Sequence, residues 1–152
     1  MSFLLRNATQ VLMSAEEIIQ RFRDLINRSF HTNKLDISYD QYMVISSIYK
    51  KQGVTQSKVA EATRKEPASI SRIVKLLENK EMIERVPDRS NRRAKRLYLT
   101  PYGNEIHGKA TRLFHLTAKN GFDGVYEQEI NLFVRILEKV QNNFHPKTKE
   151  DE

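Results

Sequence analysis

Two stretches, Pro67-Ala68-Ser69-Ile70-Ser71-Arg72-Ile73-Val74-Lys75-Leu76-Leu77 and Arg89-Ser90-Asn91-Arg92-Arg93-Ala94-Lys95-Arg96-Leu97-Tyr98-Leu99, decide how this chain folds. In the first, Ile70, Ile73, Val74, Leu76 and Leu77 recur at helical spacing and predict a helix from Pro67 to about Lys80, with proline suited to its first turn. Ile70 and Ile73 then face inward, which turns Ser69, Arg72 and, in part, Ala68 and Ser71 outward. In the second, the period changes. Leu97 and Leu99 alternate with Arg96, Tyr98 and Thr100, as in a half-buried strand. Ile83 to Val86 is the expected partner strand, and the polar run 87–94 joins the two. The expectation is a helix followed by a β-hairpin with a long basic tip.

Working outward, Thr55 is placed to cap a short helix running through Val59 and Ala62, and Arg64-Lys65-Glu66 forms the turn to Pro67. Ser38 followed by Gln41 reads as a capping box for a helix whose buried face is Tyr42, Ile45, Ile48 and Tyr49, ended by Gly53. Upstream, Leu4, Val11, Ile18 and Leu25 share one spacing of seven and Leu5, Leu12, Ile19 and Ile26 another, with Ala8, Ala15 and Phe22 between them. This is one long amphipathic helix to Phe30. Its apolar face exceeds what a small core covers, so part of it is expected to meet a second subunit; wrapping around its own domain is the alternative. Downstream, Thr100-Pro101 opens a helix with Ile106, Ala110, Leu113 and Phe114 inside, and Gly121 and Gly124 bracket a bend. A last helix from about Glu127 to Phe144 carries Ile130, Phe133, Val134, Leu137 and Val140, and Pro146 stops it ahead of a frayed polar tail.

The fold class is therefore mainly α with a small β-hairpin wing: a winged helix-turn-helix core plus N- and C-terminal dimerisation helices. The expected divisions are an N-terminal dimerisation helix at 1–32, the winged helix at 38–100, C-terminal dimerisation helices at 101–145 and a disordered tail at 146–152.

The chain has 152 residues, 39% hydrophobic and 30% charged, with 26 Lys and Arg against 19 Asp and Glu, for a formal charge of +7. Such a balance favours a polyanionic partner, nucleic acid or an anionic membrane surface. The charge is concentrated: residues 64–96 hold eleven bases against five acids, a net +6, and residues 89–96 hold five bases and no acid. A basic finger beside a helix can lay arginines along phosphates or into a narrow minor groove, where the planar, weakly hydrated guanidinium is favoured. Small polar residues at a helix start let it approach a major groove closely, and their hydroxyls and an Arg can then read base edges or clamp phosphates. A solvated charged loop is the bland alternative.

Cysteine is absent, which excludes disulfides, thiolate zinc sites and thiol nucleophiles. The N-terminus lacks the continuous apolar core of a signal peptide, and no run approaches the ~18–20 apolar residues of a membrane span, so a soluble cytoplasmic protein is expected. Of the four histidines, His107 and His115 lie about 12 Å apart along one helix, too far to chelate one ion. No Gly-rich phosphate loop, Ser-His-Asp pattern or paired-acid motif occurs. Neither a catalytic residue, a metal site nor a cofactor is expected. A protein-interaction adaptor or an RNA-binding module remains the alternative; an adaptor has little need of five bases in eight residues.

Taken together, Thr55-Gln56-Ser57-Lys58-Val59-Ala60, Ser69-Ile70-Ser71-Arg72-Ile73-Val74, Leu77-Glu78-Asn79-Lys80-Glu81-Met82-Ile83-Glu84-Arg85, Asn91-Arg92-Arg93-Ala94-Lys95 and Leu99-Thr100-Pro101-Tyr102-Gly103 resemble the MarR family of bacterial regulators. The resemblance spans about 50 residues, and the wing followed by Leu-Thr-x-x-Gly is its most specific part. It implies a DNA-binding repressor that acts as a homodimer, with the first, fifth and sixth helices interlocked. It implies a recognition helix in the major groove and a wing arginine, Arg93 with Arg92 beside it, in the minor groove. Ser69, Ser71 and Arg72 take base- and phosphate-facing places, and Thr55, Gln56 and Ser57 touch backbone phosphates. With the neighbouring Lys65, Ala68, Lys75, Arg89 and Lys95, these are the expected contacts to double-stranded DNA. Many relatives also release DNA on binding a small aromatic or lipophilic anion between the dimerising helices and the core. Phe30, His31, Tyr42, Tyr49 and His115 are candidates for such a crevice, or else core aromatics. Three features depart from the family pattern: Asn91 for the usual wing Asp, Arg64-Lys65-Glu66 in the turn before the recognition helix, and Glu81 for a frequent Gly, which predicts a differently capped or strained helix end.

Overall fold

The computed structural model describes residues 3–88, 91 and 94–144; Arg89, Arg92 and Arg93 of the expected wing, and the polar tail, lie outside the described residues. Six helices and three strands follow in the order α1 (Phe3–Thr32), α2 (Tyr39–Lys50), β1 (Val54–Thr55), α3 (Gln56–Thr63), α4 (Pro67–Asn79), β2 (Ile83–Pro87), β3 (Lys95–Leu99), α5 (Pro101–Gly121) and α6 (Glu127–Phe144). Residues 1–118 form one compact unit and residues 119–152 a second. Among the described residues no helix is long and apolar enough to cross a membrane.

Local chemistry sets the helix ends. Ser38 and Gln41 close the capping box at α2: the Gln41 amide donates to Ser38 Oγ at 3.2 Å and the Ser38 amide to Gln41 Oε1 at 3.1 Å. Thr55 stands at the N-cap of α3 but makes no side-chain capping bond, and its hydroxyl lies 3.1 Å from that of Ser57 instead. Both departures foreseen around α4 leave a mark on the backbone. Arg64, at the end of α3, has φ +52°, and Glu81, just past α4, has φ +57°. Each is a left-handed conformation that a residue with a Cβ adopts at a cost of about 1 kcal/mol. The chain follows it because the bonds beyond must close: the Met82 amide donates to Leu77 O at 2.9 Å and the Lys65 amide to Ala60 O at 3.1 Å.

One apolar core joins the elements of the first unit. Ile26 and Phe30 of α1, Val44, Ile45 and Ile48 of α2, Ile70, Val74 and Leu77 of α4, Leu97 and Leu99 of β3, and Ile106 and Ala110 of α5 are all buried in it. Two sequence expectations need correction. Tyr49 is 52% exposed while Val44 is fully buried, so the buried stripe of α2 is rotated from the one expected. Leu76 is also exposed, and the apolar side of α4 is the narrower Ile70–Val74–Leu77 row with Ile73 at its edge. β1 was not foreseen. It turns the expected hairpin into a three-stranded antiparallel sheet of order β1-β3-β2, with Val54 opposite Leu97 and Val86 opposite Arg96. Two residues are too few to show an alternating pattern.

The start of α5 closes the unit. Thr100 caps it as expected, accepting from the Gly103 amide at 3.0 Å, and its hydroxyl donates to Glu81 O at 2.6 Å. Gly103 lies so close to β2 that a Cβ there would stand 2.0 Å from the Met82 carbonyl oxygen. In the second unit, the Glu129 carboxylate accepts from the Tyr126 amide at 2.9 Å, and Glu127 and Glu129 suit the positive end of α6. Phe133, Leu137 and Val140 share one side of α6 at spacings of four and three, and all are exposed.

A small polar chain crosses the α2–α5 contact. Tyr42 Oη lies 3.2 Å from Thr111 Oγ1, which lies 3.3 Å from His107 Nε2, and the His107 ring stacks 4.0 Å from that of Tyr49. His107 is buried, and desolvation holds its imidazole below the ordinary 6.5. The unfolded chain then takes up a proton that the folded chain refuses. Stability is full above the ordinary value and falls as pH drops through it. Lowering the pH from about 7.5 to about 5.5 is expected to lower the melting temperature, and His107→Gln to remove about 1–3 °C of that fall. An unaltered fall in the variant would show that this imidazole is not the source.

Candidate nucleic-acid interface

The outward side of α4 is built by the burial of its other side. With Ile70, Val74 and Leu77 fixed in the core, Ala68, Ser71, Arg72 and Lys75, at i, i+3, i+4 and i+7, form one stripe, and all four are exposed. Ser69 is half-buried at its margin. Pro67 occupies the first helical position and Glu66 the N-cap, with no side-chain capping bond, so the first-turn amides are left for water or an anionic group. Small side chains at residues 68, 69 and 71 keep this end of the helix slim. Arg72 and Lys75 form no ion pair among the described residues. Chemically, the stripe offers a hydroxyl, a forked cation and a point cation over about two turns, a set suited to base edges and phosphates.

The start of α3 contributes half-buried Thr55 and Gln56 and exposed Ser57. Its position is fixed by β1, since Thr55 pairs with Arg96 across the sheet and the Gly53 amide donates to Leu97 O at 2.9 Å. The turn into α4 behaves differently from the rest. The Lys65 ammonium lies 2.9 Å from Asp40 Oδ1, with 19% of its side chain exposed, whereas Arg64 is exposed. Lys65 is thereby engaged within the protein.

The wing stem is the third element. Lys95, at the first position of β3, is exposed. The Asp88 amide donates to Ala94 O at 3.0 Å and the Ala94 amide to Asn91 O at 2.9 Å, closing the base of the loop. Arg89, Arg92 and Arg93 lie outside the described residues. Arg96 is the residue whose role the sequence concealed. Its Nε donates to Asp88 Oδ2 at 2.7 Å, its Nη2 reaches the same oxygen at 2.6 Å, and its Nη1 donates to Gly53 O at 2.9 Å. Nothing in the residue pattern marked Asp88 for burial. Arg85 and Lys80 are likewise paired, with Glu78 at 2.8 Å and Asp36 at 3.0 Å.

The five residues considered for an effector crevice do not share one environment. Phe30 and Tyr42 are core residues with ring centroids 5.8 Å apart, Tyr49 covers His107, and His31 and His115 are exposed. A different hollow, of about 200 Å³, lies between α1 and the start of α2, lined by Gln20, Arg23, Asp24, Asn27, Ser38, Tyr39 and Asp40. The Arg23 guanidinium sits 5.1 Å from the Tyr39 ring centroid, and its Nε is buried without a hydrogen-bond partner among the described residues.

Comparison with known proteins agrees with this geometry. The model of the MarR family matches residues 37–95, from just before α2 to the first residue of β3. An uncharacterized HTH-type transcriptional regulator of Bacillus subtilis, YybA, is 27% identical over 109 residues, covering 72% of this chain and 73% of that protein. The transcriptional regulator HosA of Escherichia coli O157:H7 is 25% identical over 107 residues, covering 70% of this chain and 79% of HosA. Among solved structures, a point mutant of E. coli MarR complexed with operator DNA superposes with a TM-score of 0.80 at 21% identity, covering 91% of this chain and 99% of that one. The S. aureus MepR–DNA complex gives a TM-score of 0.80 at 22% identity, covering 86% and 96%. Sequence match and fold point the same way: residues 37–95 match the MarR family, and the chain shares the fold of the solved MarR and MepR structures.

Proposed function

We propose that this protein is a cytoplasmic repressor that binds a pseudo-palindromic DNA operator as a homodimer and releases it on binding a small anion. The observation that carries the DNA reading is the exposed Ala68–Ser71–Arg72–Lys75 stripe, running from a helix start that no side chain caps. Thr55, Gln56 and Ser57 stand at the start of the supporting helix and Lys95 at the start of β3; Arg89, Arg92 and Arg93 precede it in sequence. Solved MarR and MepR relatives of this fold are in complex with DNA.

Selecting duplexes from a random oligonucleotide pool tests this directly. The expected product is a pair of half-sites with centres about one helical turn apart. Arg72→Ala is expected to weaken the selected duplex by about 1–3 kcal/mol and to relax one position in each half-site. Uniform weakening across all sequences would place Arg72 on a phosphate instead. Preference for single-stranded RNA, or retention of no nucleic acid at all, would favour the RNA-binding or adaptor alternative.

The homodimer is supported by the apolar residues that each unit leaves in water. On α1, Val11, Leu12, Ile18, Ile19 and Leu25 are each about half exposed or more, and α6 exposes Leu132, Phe133, Val134, Ile136 and Leu137. Soluble monomers rarely carry contiguous apolar patches of this extent. Sedimentation equilibrium at micromolar concentration is expected to return twice the chain mass, and Ile18→Glu to shift it toward the monomer and abolish operator binding. A monomeric wild type with full operator affinity would remove the dimer from this reading.

Effector release finds support in the Arg23–Tyr39 hollow, where a guanidinium with an unpartnered Nε faces an aromatic ring at the α1–α2 junction. A volume of about 200 Å³ suits a single-ring aromatic acid rather than a larger lipid. Benzoate at millimolar concentration is expected to weaken operator binding by the wild type and to leave Arg23→Gln unaffected. Equal responses of the two proteins would dismiss this hollow.

A further inference from the structure

Arg96 belongs to the basic run 89–96 by sequence, yet its guanidinium is engaged inside the protein. Two of its nitrogens meet Asp88 Oδ2, at 2.7 and 2.6 Å, and the third donates to the Gly53 carbonyl at 2.9 Å. The Asp88 side chain is only 8% exposed. The strand register sets Arg96 opposite Val86 of β2 on one side and Thr55 of β1 on the other. One side chain thus joins both arms of the wing stem to the turn from which α3 begins.

We infer that Arg96 is a positioning residue for DNA binding and not a DNA ligand: its clamp on Asp88 and Gly53 fixes the direction in which the wing leaves the sheet, relative to α3 and α4. This rests on the DNA-binding reading above. The fold itself has little need of the clamp. Leu97 and Leu99 already anchor β3, at 1% and 7% exposure, so the place of the strand in the core does not depend on the clamp. A wing stem is different. Beyond Arg96 the sheet narrows from three strands to the single Lys95–Pro87 pair, a two-stranded ribbon is marginal by itself, and groups that grip a ligand must be held to within about half an ångström. Arginine differs from lysine in holding its donors on a rigid planar fork, so that Nε and Nη2 meet the carboxylate while Nη1 meets the carbonyl in one fixed geometry.

The test exploits opposite signs. Asp88→Asn removes a negative charge beside the proposed interface and frees a guanidinium, so simple electrostatics makes it bind DNA more tightly. The clamp predicts weaker binding. With a duplex selected by the wild type from a random pool, and at a temperature where melting curves show every variant folded, Asp88→Asn and Arg96→Gln are each expected to weaken binding by about tenfold. The double variant is expected to be no worse than either single one, because the pair acts as a unit. Arg96→Lys keeps the charge without the fork and carries the test should Asp88→Asn not fold; it is expected to show the same loss. Unchanged or tighter binding by Asp88→Asn or Arg96→Lys, or additive losses in the double variant, would overturn the inference. A wild type that selects no duplex would overturn the DNA-binding reading itself, and this inference with it.

Discussion

Thr100 bonds to the exit of α4 and the start of β2 while capping α5. Its amide donates to Met82 O at 3.1 Å and its hydroxyl to Glu81 O at 2.6 Å, while that hydroxyl also accepts from the Gly103 amide at 3.0 Å. The residues concerned are the exit of α4, the start of β2, the end of β3 and the start of α5. Gly103 makes the approach possible, since any side chain there would collide with the Met82 carbonyl. Met82 is 1% exposed, and a buried carbonyl without a donor costs on the order of 1–3 kcal/mol, so the Thr100 amide bond to it is hard to give up. The offset between the outward stripe of α4 and the wing stem follows from this knot, and so does the line along which α5 leaves the sheet.

Electrostatics divides the basic residues into two populations that the sequence does not separate. Lys65, Lys80, Arg85 and Arg96 are paired with Asp40, Asp36, Glu78 and Asp88. These pairs tie α2, α4 and the sheet to one another. Arg64, Arg72, Lys75 and Lys95 form no ion pair among the described residues. The net charge of residues 64–96 is the same whichever way it is divided, but among its described bases the second population alone can meet a polyanion without first breaking an ion pair. That difference gives Arg72 a larger expected effect on binding than Lys65, although the two are equal in a charge count.

Much of this was legible in the residues. The long helices, the Ser38–Gln41 capping box, Pro67 and Pro101 at helix starts and the alternating Leu97–Leu99 strand each rest on a local rule that the tertiary structure did not override. The strain at Glu81 was also readable, because a residue with a Cβ stands where a left-handed turn is needed. What stayed hidden was non-local. β1 exists only because Val54 and Thr55 lie beside β3; alone, two residues carry no period. The rotation of the α2 stripe from Tyr49 to Val44 depends on how α5 brings His107 against the Tyr49 ring. Arg96 looked like one more wing base because its partners, Asp88 and Gly53, are set by the strand register and not by spacing. The Arg23–Tyr39 hollow brings together residues sixteen positions apart across the α1–α2 junction, with no motif to announce it.

The closure of the loop base between Asp88 and Ala94 bears on how this protein can diverge over time. Both arms of the hairpin are fastened below that point, by the Thr100 bonds at one end and by the Arg96 clamp nearer the tip, so a residue gained or lost within either strand would shift the register and turn core side chains toward water. Extra residues between positions 88 and 94 fall outside the paired strands and shift no register, and lengthening a loop costs only about 0.6 kcal/mol per doubling. Insertions should therefore accumulate at the tip and almost nowhere else in the hairpin, leaving reach as the freely adjustable dimension of the wing and its angle as the inherited one.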